Sequence, residues 1–244
     1  MPRIFINHKQ PRFIFFTNYK VMSSSILGVM SKFFPEAALT SPSGKLFYME
    51  DYSKLAICRD PYSRLFSVYY DKCLIDPKAK QEGRRKMFLQ DPQEKILLYY
   101  YKIKRIPRKV VIPGEVLTEA DPDYKCLNAN LSDLARISIH DFILSLKEMF
   151  AGKNIDHHFI PQVTFLTEKN QMKMDYIYKM EEIEIHWPEI CSILGKEVPL
   201  LRNNPTDFSL INRQSGKNDL SVPEQQIVRE LYRKDFEIFG YQDF

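Results

Sequence analysis

No glycine falls between residues 13 and 27, in the stretch FIFFTNYKVMSSSIL. The usual phosphate loop, GxxxxGK[ST], needs glycines for its tight backbone and a lysine beside a hydroxyl. Here Lys20 precedes the hydroxyls, at a strand end. The Mg²⁺-centred arrangement of an NTPase is therefore a poor fit. The four cysteines, Cys58, Cys73, Cys126 and Cys191, show no CxxC spacing. They read as buried free thiols rather than disulfides or metal ligands. Five histidines form neither HxxxH nor HExxH, which argues against a zinc site. No apolar run approaches the roughly 18 residues that span a membrane. The N-terminal MPRIFINHKQPRF breaks at Asn7, His8 and Lys9, so it has no signal-peptide core. The expectation is a soluble chain kept in the cytoplasm, unless a leader precedes the sequence. Internal repeats and linkers rich in Gly, Ser and Pro are also absent.

What is present is enough for a large core. The chain has 244 residues, 44% of them hydrophobic and 13% aromatic. The size suits one α/β domain over residues 1–244. The net charge is +4, but residues 78–109 alone carry eleven Lys/Arg and three Asp/Glu. Such a run is either a solvated surface or a steering patch for an anionic partner. Nucleic acid is not expected, because overall charge is low and no nucleic-acid motif is visible.

Apolar spacing predicts buried strands over 12–17 and 54–59, and a strand over 174–180. Helices are predicted over 24–34, from Pro61 onward with Asp60 as cap, around 92–102, and over 131–150. The capping box Ser221-Val222-Pro223-Glu224 opens a last helix that Gly240 stops. Strand, turn, helix, strand, helix implies parallel βα units, so an α/β class with a central parallel sheet flanked by helices.

Two strand ends look built for anions. A helix N-terminus offers unpaired N–H groups and a partial positive charge. In the first stretch, serine hydroxyls and Lys20 add donors and a full charge. The plainer reading is a serine cap and a solvated lysine. In AICRDPYSRLFSVYYDK, Arg59 ends a strand and Ser67 lies two turns into the next helix. A guanidinium fork with a hydroxyl suits a terminal phosphate. The plainer reading pairs Arg59 with a carboxylate and leaves Ser67 on the surface.

Together these stretches resemble the two cofactor loops of carbohydrate sulfotransferases that use 3′-phosphoadenylyl sulfate (PAPS). This is sulfotransferase family 2, of the chondroitin, HNK-1 and uronyl 2-O type. The first loop, Tyr19-Lys20-Val21-Met22-Ser23-Ser24-Ser25, is similar to PK-x-x-[CS]-[ST]-[ST], with tyrosine in place of proline. The second matches RDPxxRLxSxYxxK at every defined position from Arg59 to Lys72. HHFIPQ (157–162), DYIYKMEEIE (175–184) and YRKDFEIFGY (232–241) resemble three further family segments, in order.

The resemblance implies a P-loop-like sulfotransferase fold and transfer of a sulfuryl group from PAPS to an acceptor hydroxyl. Adenosine 3′,5′-bisphosphate would be the product and no metal would be needed. It implies that Lys20, Met22, Ser23, Ser24 and Ser25 hold the 5′-phosphosulfate, with Lys20 neutralising the leaving group. Arg59 and Ser67 would hold the 3′-phosphate. His158 is the first candidate for the base, the plainer reading being that it orients substrate or bonds backbone, and Glu36, Glu50 and Asp51 are rivals. Glu181 is expected to support a strand or pair with Lys179, and Asn212 and Ser215 to lie near the cofactor. The acceptor would be a glycan, an anionic one if the basic segment borders its cleft, with Tyr99, Tyr100 and Tyr101 available for stacking on sugars. A nucleotide-binding module without turnover, or a P-loop kinase, are the alternatives.

Overall fold

The computed structural model describes residues 3–40, 44–73, 96–97, 99–100, 103–104, 137–152, 155–201 and 217–242. The chain divides into two compact units. The first comprises Met1–Arg64, Ile160–Lys217 and Tyr232–Phe244; the second comprises Leu65–Phe159 and Asn218–Leu231.

The first unit is built on a five-stranded sheet. Its strands are β1 (Ile4–Asn7), β2 (Phe13–Phe16), β3 (Ala38–Thr40), β4 (Ser53–Cys58) and β7 (Tyr176–Lys179), in the order β3-β1-β2-β4-β7. A small hairpin of β5 (Thr167–Glu168) and β6 (Gln171–Met172) stands apart. The expected parallel pairing holds for β2, β4 and β7, with Phe15 opposite Leu55 and Ile57 opposite Tyr178. The sheet as a whole is mixed, because β1 pairs antiparallel with both β2 and β3. A short connection between β1 and β2 explains that: a hairpin can close over a few residues, whereas a parallel neighbour needs a crossover. The Asn7 side chain locks the turn by donating to the carbonyls of Lys9 (3.0 Å) and Pro11 (2.8 Å).

Alternation along each strand feeds two cores. On one face Phe13, Phe15, Leu55 and Ile57 pack with Ile26, Val29 and Met30 of α1 (Ser23–Phe33) and with Trp187 and Ile190 of α4 (Ile183–Leu194). On the other, Ile14, Phe16, Ala56 and Cys58 pack with Leu46, Val163, Leu166 and Phe239. Both faces are covered, so FIFF and LAIC read as continuous apolar runs rather than alternating ones. Each fully buried Phe or Ile contributes about 1.5–3 kcal/mol. Gly195, at φ 69°, ends α4 in a left-handed turn, where a side chain would also meet the Pro11 ring.

The second unit contains most of α2 (Pro61–Lys72), α3 (Ile139–Ala151) and the start of α5 (Val222–Phe239). Asp60 caps α2, its Oδ1 accepting from the Ser63 N–H at 2.7 Å. The Tyr69 hydroxyl donates to the Ile137 carbonyl (2.7 Å), and its ring packs on Phe142, which in turn meets Phe159. The helix expected over 131–150 begins at Ile139, because Ser138 caps it by accepting from the Asp141 N–H; residues 131–136 lie outside the described residues. Of the helix expected around 92–102, the described Ile96, Leu97, Tyr99 and Tyr100 are helical. At Ser221 the glutamate half of the expected capping box forms: the Ser221 N–H and hydroxyl both donate to Glu224 Oε2 at 2.6 Å. Gly240, at φ 62°, follows the last helical residue, Phe239. Cys58, Cys73 and Cys191 are buried free thiols, and Cys126 lies outside the described residues.

Candidate functional site

Three loops of the first unit leave the carboxyl ends of the parallel strands β2, β4 and β7. In open α/β sheets this edge is where ligands bind. The first loop, Thr17–Met22, leads into α1. Thr17 fixes its start, its hydroxyl donating to the Arg3 carbonyl at 2.8 Å. Lys20 and Met22 then take left-handed conformations, at φ 61° and 51°. For residues with a Cβ this costs about 1–2 kcal/mol each, and such strain gathers at binding sites. The loop thus reaches, without glycine, a shape that glycine usually supplies. Met22 occupies the α1 N-cap without a capping side chain, and no carboxylate stands in the first turn. The positive end of the helix is therefore not offset by either device. Ser23 is half-buried, Ser24 exposed and Ser25 buried.

The second loop, Arg59–Asp60, is tied to the first by two guanidinium groups. Arg59 Nη1 donates to the Lys20 carbonyl at 3.2 Å. Arg64 Nε donates to the carbonyl before it, of Tyr19, at 3.2 Å, while its Nη2 donates to Ile160 at 2.8 Å. Arg64 is 2% exposed. Burial pulls its pKa down, opposed by Tyr232 and Asp235. Burial also lowers that of Arg59, with Glu181 and Asp60 pulling it back up. Arginine stays charged against such shifts, so two cations sit at this edge beside Lys20.

The remaining family-like segments lock the second loop from behind. Gln162 brackets the Arg59 peptide: Oε1 accepts the Arg59 N–H at 2.9 Å, and Nε2 donates to the Arg59 carbonyl at 2.8 Å. Asp235, fully buried, accepts the backbone N–H of Gln162 (2.8 Å) and of Val163 (2.9 Å). From the third loop, Glu181 accepts the Asp60 N–H (2.9 Å) and the Tyr241 hydroxyl (2.9 Å). Lys179 donates to the Gly240 carbonyl and lies over the Tyr241 ring. Glu181 thus braces the Arg59–Asp60 loop rather than its own strand. Cys58, next to Arg59, is pushed up to about 11 by burial and is no nucleophile.

The second unit carries the other candidates. Ser67 lies on α2 and is 4% exposed, so the surface reading of it fails. His158 pairs with the buried Asp156: Nδ1 lies 2.7 Å from Asp156 Oδ1, which also accepts the His158 N–H at 2.9 Å. A carboxylate at this distance favours the tautomer with the proton on Nδ1, which makes Nε2 the accepting nitrogen. Tyr99 belongs to the core, whereas Tyr100 is half-buried with Lys104 over its ring.

The rival bases are not at the carboxyl edge. Glu36 follows the far end of α1, roughly 16 Å along an 11-residue helix from the serines. Glu50 and Asp51 precede β4, and Asp51 pairs with Arg12, just before β2, at 3.6 Å. Both therefore lie at the amino edge, roughly 20 Å away along a six-residue strand. Asn212, Ser215, Tyr101 and most of 78–109 lie outside the described residues. Gln162, Asp235, Asp156, Arg64 and Tyr241 were not singled out from sequence. All but Asp156 stand inside the matching segments, which was the available signal. Among the described residues, no group of three or more His, Cys, Asp or Glu is placed to hold a metal ion. None of the described helices is long and apolar enough to cross a membrane.

The model of the sulfotransferase family, family 2, matches residues 3–242. The chain belongs to the sulfotransferase family. The match spans all five segments and both arginines that tie the loops. No curated protein and no solved structure matched the chain.

Proposed function

We propose that this sulfotransferase moves the sulfuryl group from PAPS to a hydroxyl of a carbohydrate acceptor, working as one domain over residues 1–244. The observation that carries the reading is the pair of arginine bonds, from Arg59 to Lys20 and from Arg64 to Tyr19. They hold a helix N-terminus, a lysine and a guanidinium at one sheet edge, as a donor with two separated anionic groups requires.

PAPS supplies an activated sulfate on a phosphate leaving group. Lys20 and the N–H groups at Ser23, Ser24 and Ser25, beside Met22, hold the 5′-phosphosulfate. Lys20 neutralises the charge that grows on the leaving phosphate as the S–O bond breaks. Arg59, with Ser67, binds the 3′-phosphate of PAPS and of the product adenosine 3′,5′-bisphosphate. His158, oriented by Asp156, takes the acceptor proton at Nε2 as the new O–S bond forms. These roles need no metal. The excess of Lys/Arg over 78–109 favours an anionic glycan.

The test is transfer of radiolabelled sulfate from PAPS to a panel of sugars, phenols and amines, with and without EDTA. Transfer to sugars that survives EDTA supports the reading. Binding without transfer makes the chain a nucleotide-binding module. Phosphoryl transfer from ATP that needs a divalent ion makes it a kinase.

A further inference from the structure

We infer that Gln162 and Asp235 are positioning residues for anion binding by Arg59: Asp235 aims Gln162, and the Gln162 amide clamps the Arg59 peptide. The inference rests on the reading that Arg59 meets the 3′-phosphate. Arg59 follows the last residue of β4, where the ladder with β7 stops at the pair Cys58 and Lys179. Past that point none of the described strands holds its N–H and carbonyl. Gln162 takes both, at 2.9 and 2.8 Å, as an adjoining strand would. A glutamine side chain has rotamers to lose, and Asp235 removes that freedom. It accepts the Gln162 backbone N–H at 2.8 Å and the side-chain Nε2 at 3.3 Å. It also accepts the Val163 N–H, so the first turn of the short 3₁₀ helix Gln162–Phe165 is held as well. Gln162 and Asp235 are fully buried. A buried amide with its oxygen and both its hydrogens engaged cannot flip without losing partners. The Arg59 backbone is thereby set, and the guanidinium reaches the site from a fixed root. Misplacing a binding group by a small distance is enough to weaken it.

A thermodynamic cycle on the full chain separates positioning from simple structural support. Affinities for adenosine 3′,5′-bisphosphate and for AMP are measured by calorimetry in wild type, Gln162→Ala, Arg59→Ala and the double variant. Gln162→Ala is expected to weaken the bisphosphate about tenfold and leave AMP within about twofold. In the Arg59→Ala background the same substitution should cost almost nothing, because the group it positions is gone. Asp235→Asn, close to isosteric, should repeat the pattern and add little once Gln162 is replaced. Equal losses in both backgrounds, or equal losses for AMP and bisphosphate, overturn the inference. Failure of both Gln162→Ala and Asp235→Asn to fold also overturns it, since the clamp would then serve the fold. Wild-type chain with no preference for the bisphosphate removes the reading beneath it as well, and is told apart by that first measurement.

Discussion

Arg59 and Lys20 meet through the guanidinium of one and the main-chain carbonyl of the other, 3.2 Å apart. The arginine therefore fixes the backbone from which the lysine projects, and the two charged groups are arranged by a bond that uses neither charge on the other. A guanidinium has five N–H groups, and this bond uses one of them.

Arg59→Ala should weaken binding of adenosine 3′,5′-bisphosphate by about 2 kcal/mol or more, roughly thirtyfold. AMP, lacking the second phosphate, should lose far less. Calorimetry with the two nucleotides checks this, and equal losses would separate Arg59 from the 3′-phosphate.

Lys20→Ala should lower kcat far more than affinity for the donor. Charge builds on the leaving phosphate only as the S–O bond breaks, so the interaction grows toward the transition state. Saturation kinetics decide it: a variant with raised KM and normal kcat would make Lys20 a binding residue only.

His158→Ala should reduce kcat by about 10²-fold or more. Asp156→Asn should reduce it less, while shifting the imidazole proton away from Nδ1. Asp156→Glu, which keeps the charge, should restore part of the activity. The tautomer is read from ¹⁵N chemical shifts of the ring. An unchanged tautomer in Asp156→Asn would show that Asp156 does not orient the ring.

Much of the fold was legible because its signals are local. FIFF and LAIC are short apolar runs with no polar interruption, which suits strands buried on both faces. Asp60-Pro61 and Ser221-Val222-Pro223-Glu224 carry their own start signals. β1 and β3 were not legible: four residues and three residues have no useful periodicity, and their identity comes from pairing. α4 was hidden by Pro188, which argues against a helix but is tolerated in its middle. At the site, charged residues at strand ends were readable, since their chemistry is in the residue type. The clamps were not. Gln162 acts on Arg59 and Asp235 on Gln162 across separations of 103 and 73 residues, and nothing local to a glutamine announces its partner.

Glu224 gives a prediction about acid stability. Burial alone pushes its carboxyl up, but the hydroxyl and N–H of Ser221, with His140 at 2.7 Å, hold it below the usual carboxylate value. A depressed value stabilises the folded state above the unfolded-chain pKa, and that stability is lost as pH falls through the folded value. Glu224→Gln should therefore cost about 1 kcal/mol at pH 7, and the difference from wild type should shrink below about pH 4. Urea unfolding at pH 7 and pH 3 checks it; a constant difference would place the effect outside the ionised carboxylate.

The most direct measurement of the central claim follows ³⁵S from labelled PAPS into an acceptor glycan, in EDTA, for wild type and Lys20→Ala side by side. The account predicts label in the glycan, equimolar adenosine 3′,5′-bisphosphate, and loss of about 10²-fold or more of the rate in the variant. Bisphosphate binding with no label transferred to any acceptor, or transfer unaffected by Lys20→Ala, would contradict it.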